Sequence, residues 1–145
     1  MTATGTPDQH EACVERRFQA AVERVPDVIE FISGPASAWG LHPHRLMQLE
    51  LAIEEVVVNI CDYAYAVPPG DFIVRVRPGD SRFVVEVIDE GVPFDPLMVA
   101  EPDLLAGAQE RPIGGLGILL VRRLMDEVGY RRDGTQNILT LVISR

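Results

Sequence analysis

Two polar side chains stand four residues apart in a strongly apolar segment of the chain. Glu55 and Asn59 lie among valine and isoleucine at 56–58 and 60, and a spacing of four puts both on one face of a helix. A carboxylate and an amide in such company must be solvated, paired or functional. The pattern therefore predicts either a solvent-facing pair on a helix with a broad apolar stripe or part of a functional site. The adjacent Glu54 more readily takes the solvated role.

A second candidate follows an alternating apolar run. Asp89 and Glu90 come directly after Ile88, and Gly91 follows them. Because glycine has no side chain, the backbone there admits the close approach of another group. A carboxylate at a strand end can accept a hydrogen bond from an exocyclic amine. The same residue types are also typical of an ordinary turn, so both interpretations stand.

The third candidate is a group of glycines that opens a segment with helical spacing. Gly114, Gly115 and Gly117 precede the apolar positions of that segment, and the free N–H groups at a helix N-terminus favour an anion such as phosphate. The spacing is not the dinucleotide fingerprint, because Leu120 stands in the third glycine's position and the segment follows a loop. A flexible lead into a core helix is the alternative.

Composition limits the functions that these candidate residues can have. The chain has 145 residues, 13 basic against 22 acidic side chains, a net charge of −9 and 47% hydrophobic residues. This length and apolar fraction predict one folded domain. An acidic chain repels phosphate backbones, which disfavours direct nucleic-acid binding and favours protein or small-ligand partners.

Lysine is absent, and every basic side chain is an arginine. The chain therefore cannot use the Walker lysine of P-loop enzymes, the strand lysine of eukaryotic-type protein kinases, or Schiff-base chemistry. If the protein handles ATP, it neutralises the phosphates by other means.

Cysteine usage and hydropathy indicate the compartment. Cys13 and Cys61 are too few for the disulfide framework of a small secreted domain. The N-terminus lacks the charged start and apolar run of a signal peptide, and no apolar stretch approaches the ~20 residues that span a bilayer. We therefore expect a cytoplasmic protein that does not associate with membranes.

Hydrophobic periodicity predicts an α+β architecture. The pattern divides the chain into a polar tail at 1–12 and a single domain at 13–145, with a long, lid-like connection at 89–115. Because consecutive strands form antiparallel hairpins, we expect a two-layer sandwich in which helices cover one face of a mixed, mostly antiparallel sheet. The predicted helices are 26–39, 43–65 and 116–128, and the predicted strands are 17–22, 72–76, 83–87, 129–132 and 137–143.

Taken in order, the three candidate segments resemble the N, G1 and G2 boxes of the GHKL superfamily, whose members share the Bergerat ATP-binding fold. The matching residues are 49–55 with 59 and 63–65, then 89–91 with 94–96, 114–117, and 137–141. Within that superfamily the chain is most similar to the bacterial anti-sigma factor serine/threonine kinases, the RsbW-like regulators of partner switching. The resemblance covers the chain from about Val25 to the C-terminus.

The resemblance implies a role for each matching position. Glu55 corresponds to the general base, Asn59 to the ligand of the Mg²⁺ that bridges the ATP phosphates, and Asp89 to the acceptor of the adenine amine. Gly91 corresponds to the point where adenine approaches the strand end. The remaining implied cofactor contacts are the phosphate-side glycines Gly114, Gly115 and Gly117, and Thr140, near the adenine through a water.

The resemblance also implies a function. It predicts an anti-sigma factor and ATP-dependent serine/threonine kinase that phosphorylates an anti-anti-sigma (STAS) protein and sequesters a sigma factor, as a homodimer. The alternative is a non-catalytic, nucleotide-gated binding module that holds a sigma factor or another regulator. A third interpretation is an ATPase, in which Glu55 activates water in place of a serine hydroxyl.

Overall fold

The computed structural model describes residues 13–63, 70–93, 95–98 and 115–145. The N-terminal tail at 1–12, Gly114 and most of the connection at 89–115 lie outside these residues. The last part of the helix expected at 43–65 also lies outside them. None of the helices in the described ranges has the length and apolarity that crossing a membrane requires.

Within the described ranges, five strands form one sheet. They are β1 (Val14–Gln19), β2 (Asp71–Pro78), β3 (Arg82–Asp89), β4 (Glu127–Asp133) and β5 (Gln136–Ser144). Their order in the sheet is β1-β2-β3-β5-β4, and every pairing between them is antiparallel. The first strand is an edge strand as expected, but it covers Val14–Gln19 where 17–22 was expected, and Val22–Arg24 form a short 3-10 helix.

In the part of the chain that the structure describes, three α-helices accompany the sheet: α1 (Val25–Trp39), α2 (Pro43–Tyr63) and α3 (Gly115–Leu124). A proline in the first turn of α1 starts that helix with its backbone angle already set. Gly40 ends the helix with a φ of 95°, a left-handed conformation that glycine adopts without steric cost.

The core lies between the helices and one face of the sheet. Each central strand contributes alternate residues to it, because successive side chains of a strand point to opposite faces. This arrangement confirms the α+β, two-layer fold. The core includes Val28 and Ile32 of α1, Leu49, Ile53, Val56 and Val57 of α2, Val121 of α3, Phe72, Val74 and Val76 of β2, Phe83, Val85 and Val87 of β3, and Leu139, Leu141 and Ile143 of β5.

The expected end of the last helix is also wrong: that helix ends at Leu124 and does not reach Val128. Asp126 lies beyond the helix, where its backbone N–H donates to Val142 O at 2.9 Å. Its Oδ2 accepts from the N–H of Ser144 at 2.7 Å and from Arg45 Nη2 at 2.7 Å. These bonds to the end of β5 draw the chain into the sheet, so Val128 belongs to β4. Its apolar side chain matched the helical spacing by coincidence.

Candidate active site

A pocket opens between α2 and the helix-facing side of the sheet. Its accessible volume is about 30 Å³, well below the ~300–1,000 Å³ typical of small-molecule sites, so the described residues enclose only part of a ligand of that size. Its walls are largely apolar, with a few polar groups among them, as such sites usually are. The lining residues are Val56, Asn59, Ile60, Val87, Asp89, Val92, Pro96, Tyr130, Asn137 and Leu139.

Asp89 ends β3 at the edge of this pocket and is only 8% exposed. Its Oδ1 accepts two hydrogen bonds, from the backbone N–H of Gly91 at 2.9 Å and from Asn137 Nδ2 at 2.9 Å. Because both of these bonds end on the same oxygen, Oδ2 is the oxygen left to accept from a ligand. The structure therefore brings Asp89 and Gly91 together in one hydrogen-bonded turn at the pocket.

Asn137 lies at the pocket, although the sequence analysis included it only in the matching segment 137–141 and gave it no role of its own. It is 5% exposed and pairs directly with Asp89 across β3 and β5. Its Nδ2 also donates to Val92 O at 2.9 Å. A signal was available, because the alternation of Leu139 and Leu141 turns Asn137 inward as well, and a buried amide needs partners.

Of the expected residues, Asn59 and Asp89 line the pocket, whereas Thr140 lies on the other face of the sheet. It pairs with Glu86 on β3 and lies on the face opposite to that of Leu139, which lines the pocket. On that face the Glu86 side chain is 6% exposed and lies 3.0 Å from Arg77 Nη2. The expectation that Thr140 lies near the nucleobase is therefore corrected, since strand alternation turns it away and turns Asn137 inward.

Glu55 and Asn59 do not form the solvent-facing pair that their helix alone allowed. Asn59 lines the pocket, and Glu55 is half-buried one turn earlier on α2, whereas Glu54 is exposed. Glu55 faces α3, where a Cβ built on Gly117 would overlap its carboxylate oxygen Oε2. Because α2 packs against both the sheet and α3, Glu55 and Asn59 are partly covered.

The structure describes two of the three candidate glycines, Gly115 and Gly117. Gly115 is the first residue of α3 and Gly117 lies in its first turn, so the N-terminus of α3 is beside Glu55. The backbone N–H groups of that turn have no partners within the helix and favour an anion. Gly114 lies outside the described residues.

The oxygen ligands at the pocket suit a weakly held hard cation. Asn59 offers an amide oxygen at the pocket wall, and the described ranges hold no group of three or more histidine, cysteine or acidic side chains placed to bind a metal. Mg²⁺ commonly takes one or two protein ligands and completes its shell with phosphates and waters. The amide oxygen of Asn59 therefore fits a Mg²⁺ that would arrive with a nucleotide.

Comparison with known proteins agrees with this geometry. Two serine-protein kinases RsbW, from Bacillus thuringiensis (strain Al Hakam) and Bacillus cereus (strain 03BB102), are 27% identical to the chain over 137 residues. Each alignment covers 91% of this chain and 86% of the relative.

A solved structure of the RsbU and RsbW domains of Rv1364c from Mycobacterium tuberculosis shares the fold. The TM-score is 0.64 at 17% sequence identity, over 91% of this chain and 32% of that one, so the chain spans about a third of that protein's length. The family model described as "Histidine kinase-like ATPase domain" matches residues 18–143. The chain, with its acid at the end of β3 and its polar pair on α2, belongs to the histidine kinase-like ATPase domain family.

Proposed function

We propose that this chain binds Mg-ATP in the pocket beside Asp89 and transfers a phosphoryl group to a serine or threonine of a protein partner. One observation carries the proposal: Asp89 and Asn59 line the same pocket, while Glu55, one turn from Asn59, lies against the first turn of α3. Asp89 can thus accept a hydrogen bond from the nucleobase, Asn59 can bind a cation, and Glu55 offers a carboxylate for catalysis one turn from Asn59. The relatives named serine-protein kinase support the reaction type.

The nucleobase is held by apolar walls and one acceptor. Val56 and Ile60 of α2 face Val87 and Leu139 of the sheet across the pocket, which suits the flat apolar faces of a purine. Asp89 Oδ2 accepts from the exocyclic amine of adenine. Guanine carries a carbonyl at that position, so the carboxylate would meet a second acceptor and GTP is disfavoured.

The phosphates lie toward Asn59 and the N-terminus of α3. The amide oxygen of Asn59 would be a protein ligand to Mg²⁺, which when bound offsets the negative charge of the phosphates. The unpaired N–H groups of the first turn of α3 supply further stabilisation. This arrangement replaces the lysine that the chain lacks.

Glu55 acts as the general base. Its carboxylate takes the proton of the partner's hydroxyl as that oxygen attacks the terminal phosphorus of ATP. The bond from that phosphorus to the bridging oxygen breaks, and ADP leaves. A base so placed typically contributes ~10²–10⁴-fold to the rate.

The proposed partner is an anti-anti-sigma (STAS) protein, and the chain, acting as a homodimer, sequesters a sigma factor while that partner is phosphorylated. Support for the partners comes from the resemblance of residues 49–59, 89–91 and 114–117 to the boxes of RsbW-like regulators. The alternative is a nucleotide-gated binding module without transfer activity. The half-buried Glu55 favours catalysis, because binding alone does not require a base.

Intact-mass analysis of the protein with Mg-ATP and the STAS-domain proteins of its own genome tests the proposal. One phosphoryl group gained by a partner, and lost when Glu55→Gln replaces the native protein, supports the kinase. Release of free phosphate without transfer supports the ATPase. Binding of ATP and a sigma factor with neither reaction supports the binding module.

A further inference from the structure

We infer that Tyr130, Arg132 and Asn137 are positioning residues that orient the carboxylate of Asp89 and so determine selectivity for a 6-amino purine. The inference rests on the proposed binding of adenine at Asp89 and adds the residues that make that site selective. It is carried by a chain of hydrogen bonds that crosses from β4 through β5 to the end of β3.

The side-chain amide of Asn137 can lie in only one orientation. Its Oδ1 accepts from Tyr130 Oη at 2.6 Å and from Arg132 Nη1 at 3.1 Å. A guanidinium carries donors only, so the end of the amide that faces Arg132 must be the oxygen. The NH₂ end is therefore directed at Asp89.

This orientation determines which oxygen of Asp89 remains for a ligand. Asn137 Nδ2 donates to Oδ1 at 2.9 Å, and the Gly91 N–H donates to the same oxygen at 2.9 Å. Two donors on one oxygen restrict rotation of the carboxylate and leave Oδ2 as an acceptor at the pocket. The site then favours a ring edge that offers a donor and disfavours one that offers a carbonyl.

The guanidinium of Arg132 also joins the two turns that flank the site. Its Nη1 donates to Gly91 O at 2.8 Å, and its Nε donates to Gly134 O at 3.1 Å. Gly134 occupies the β4–β5 turn with a φ of 59°, and Gly91 follows β3. Arg132 therefore holds the backbone of the Asp89 turn at a constant distance from Asn137, and a neutral or shorter side chain would release it.

The pairing of the strands explains why these residues meet. Asn137 pairs with Asp89 on one side and with Arg132 on the other, and Tyr130 lies two residues before Arg132, on the same face of β4. The bonds that run from Tyr130 and Arg132 through Asn137 to Asp89 therefore follow from the strand order β3-β5-β4.

The test compares the affinities of ATP and inosine triphosphate, whose ring carries a carbonyl where adenine has its amine. Asn137→Asp keeps the side-chain shape but puts an acceptor against Asp89 Oδ1. We expect it to reduce the ratio of ATP to inosine triphosphate affinity about ten-fold or more, the loss of a charge-assisted hydrogen bond. Tyr130→Phe removes one hydroxyl group and should reduce the ratio several-fold. Gln136→Glu, the same change of charge on the neighbouring residue and the opposite face, is the matched control.

The outcomes separate this inference from the proposed function. A native protein that binds both nucleotides equally well shows that adenine is not read at Asp89, and the inference then fails together with that assignment. If Asn137→Asp keeps the native preference for ATP, the positioning role is disproved while the adenine assignment stands. The same conclusion follows if the variant loses affinity equally for both nucleotides. If Asn137→Asp does not fold, the double variant Tyr130→Phe with Arg132→Leu decides, because it removes both donors to Asn137 Oδ1: an unchanged ratio contradicts the inference, and a reduced one supports it.

Discussion

The carboxylate of Glu55 occupies the space that a side chain on Gly117 would need. A Cβ on Gly117 would overlap Glu55 Oε2, although the two residues lie on different helices, α2 and α3. The sequence pointed to one as a base and to the other as part of a phosphate-side loop. Their contact makes the first turn of α3 part of the surroundings of Glu55.

Replacing Gly117 with alanine should therefore reduce catalysis without unfolding the protein. The nearest atom to the new methyl group is the end of a flexible side chain, so Glu55 can rotate away. Alanine is also favoured over glycine in a helix by about 1 kcal/mol. We expect a free energy of unfolding within about 1 kcal/mol of the native value, with phosphoryl transfer strongly reduced. Urea denaturation and a single-turnover assay measure the two quantities.

The matched control for this variant is Gly34→Ala, another glycine within a helix. A Cβ on Gly34 meets no atom within 4 Å, so the substitution should stabilise the protein by up to about 1 kcal/mol and leave transfer unchanged. A native transfer rate in Gly117→Ala would show that the contact with Glu55 has no catalytic consequence.

Glu55→Gln and Asn59→Ala should differ in which step they impair. Glu55→Gln keeps the shape of the side chain against α3 but removes the base, so transfer should fall by ~10²–10⁴-fold while ATP affinity is retained. Asn59→Ala removes a ligand to Mg²⁺, so the affinity for Mg-ATP should fall together with turnover. Calorimetry with Mg-ATP and a single-turnover assay distinguish the two effects.

Glu54→Gln is the control for the loss of charge on α2, because Glu54 is exposed next to Glu55. It should leave both affinity and transfer at native values. Full kinase activity in Glu55→Gln would disprove the assignment of the base.

Asp89→Asn should weaken the binding of ATP. The oxygen of the new amide would be drawn toward the donors from Gly91 and Asn137, which leaves its NH₂ group facing the adenine amine. Losing a charge-assisted hydrogen bond costs on the order of 1.5–3 kcal/mol, or about 10- to 150-fold in affinity. Titration calorimetry measures this, with Asp133→Asn on the exposed β4–β5 hairpin as the control. An unchanged affinity would contradict the adenine assignment.

The thiol of Cys61 should react with iodoacetamide more slowly than a cysteine thiol of ordinary pKa. Burial, and after it the carboxylate of Asp62, raise the pKa of the Cys61 thiol, so less of it is thiolate at a given pH. Asp62→Asn removes the second cause and should increase the rate of Cys61 alkylation near pH 8. The difference in alkylation rate should vanish at a pH above the pKa that the Cys61 thiol has in the native protein and in the variant. Intact-mass kinetics would contradict this if the two rates agreed throughout the pH range.

Much of the secondary structure followed from local pattern. A proline predicted the start of α1, and apolar spacing predicted α2 and the β2–β3 hairpin, because a period of three to four or of two is a property of neighbouring residues. The same reasoning failed at Val128, where helical spacing continued by chance into a strand. Only the bonds of Asp126 to β5 show where α3 ends.

The sequence by itself determined the residue types, the order of the three candidate segments and the α+β class, since these depend on composition and short-range periodicity. The tertiary structure decided which residues share the site. Asn137 meets Asp89 from 48 positions away because β5 pairs beside β3, and Thr140 turns outward because strand faces alternate. Glu55 is half-buried because α3 packs against α2. Local alternation shows that Asn137 faces the core, but it does not show that Asp89 is its neighbour, because that contact depends on the register of two distant strands.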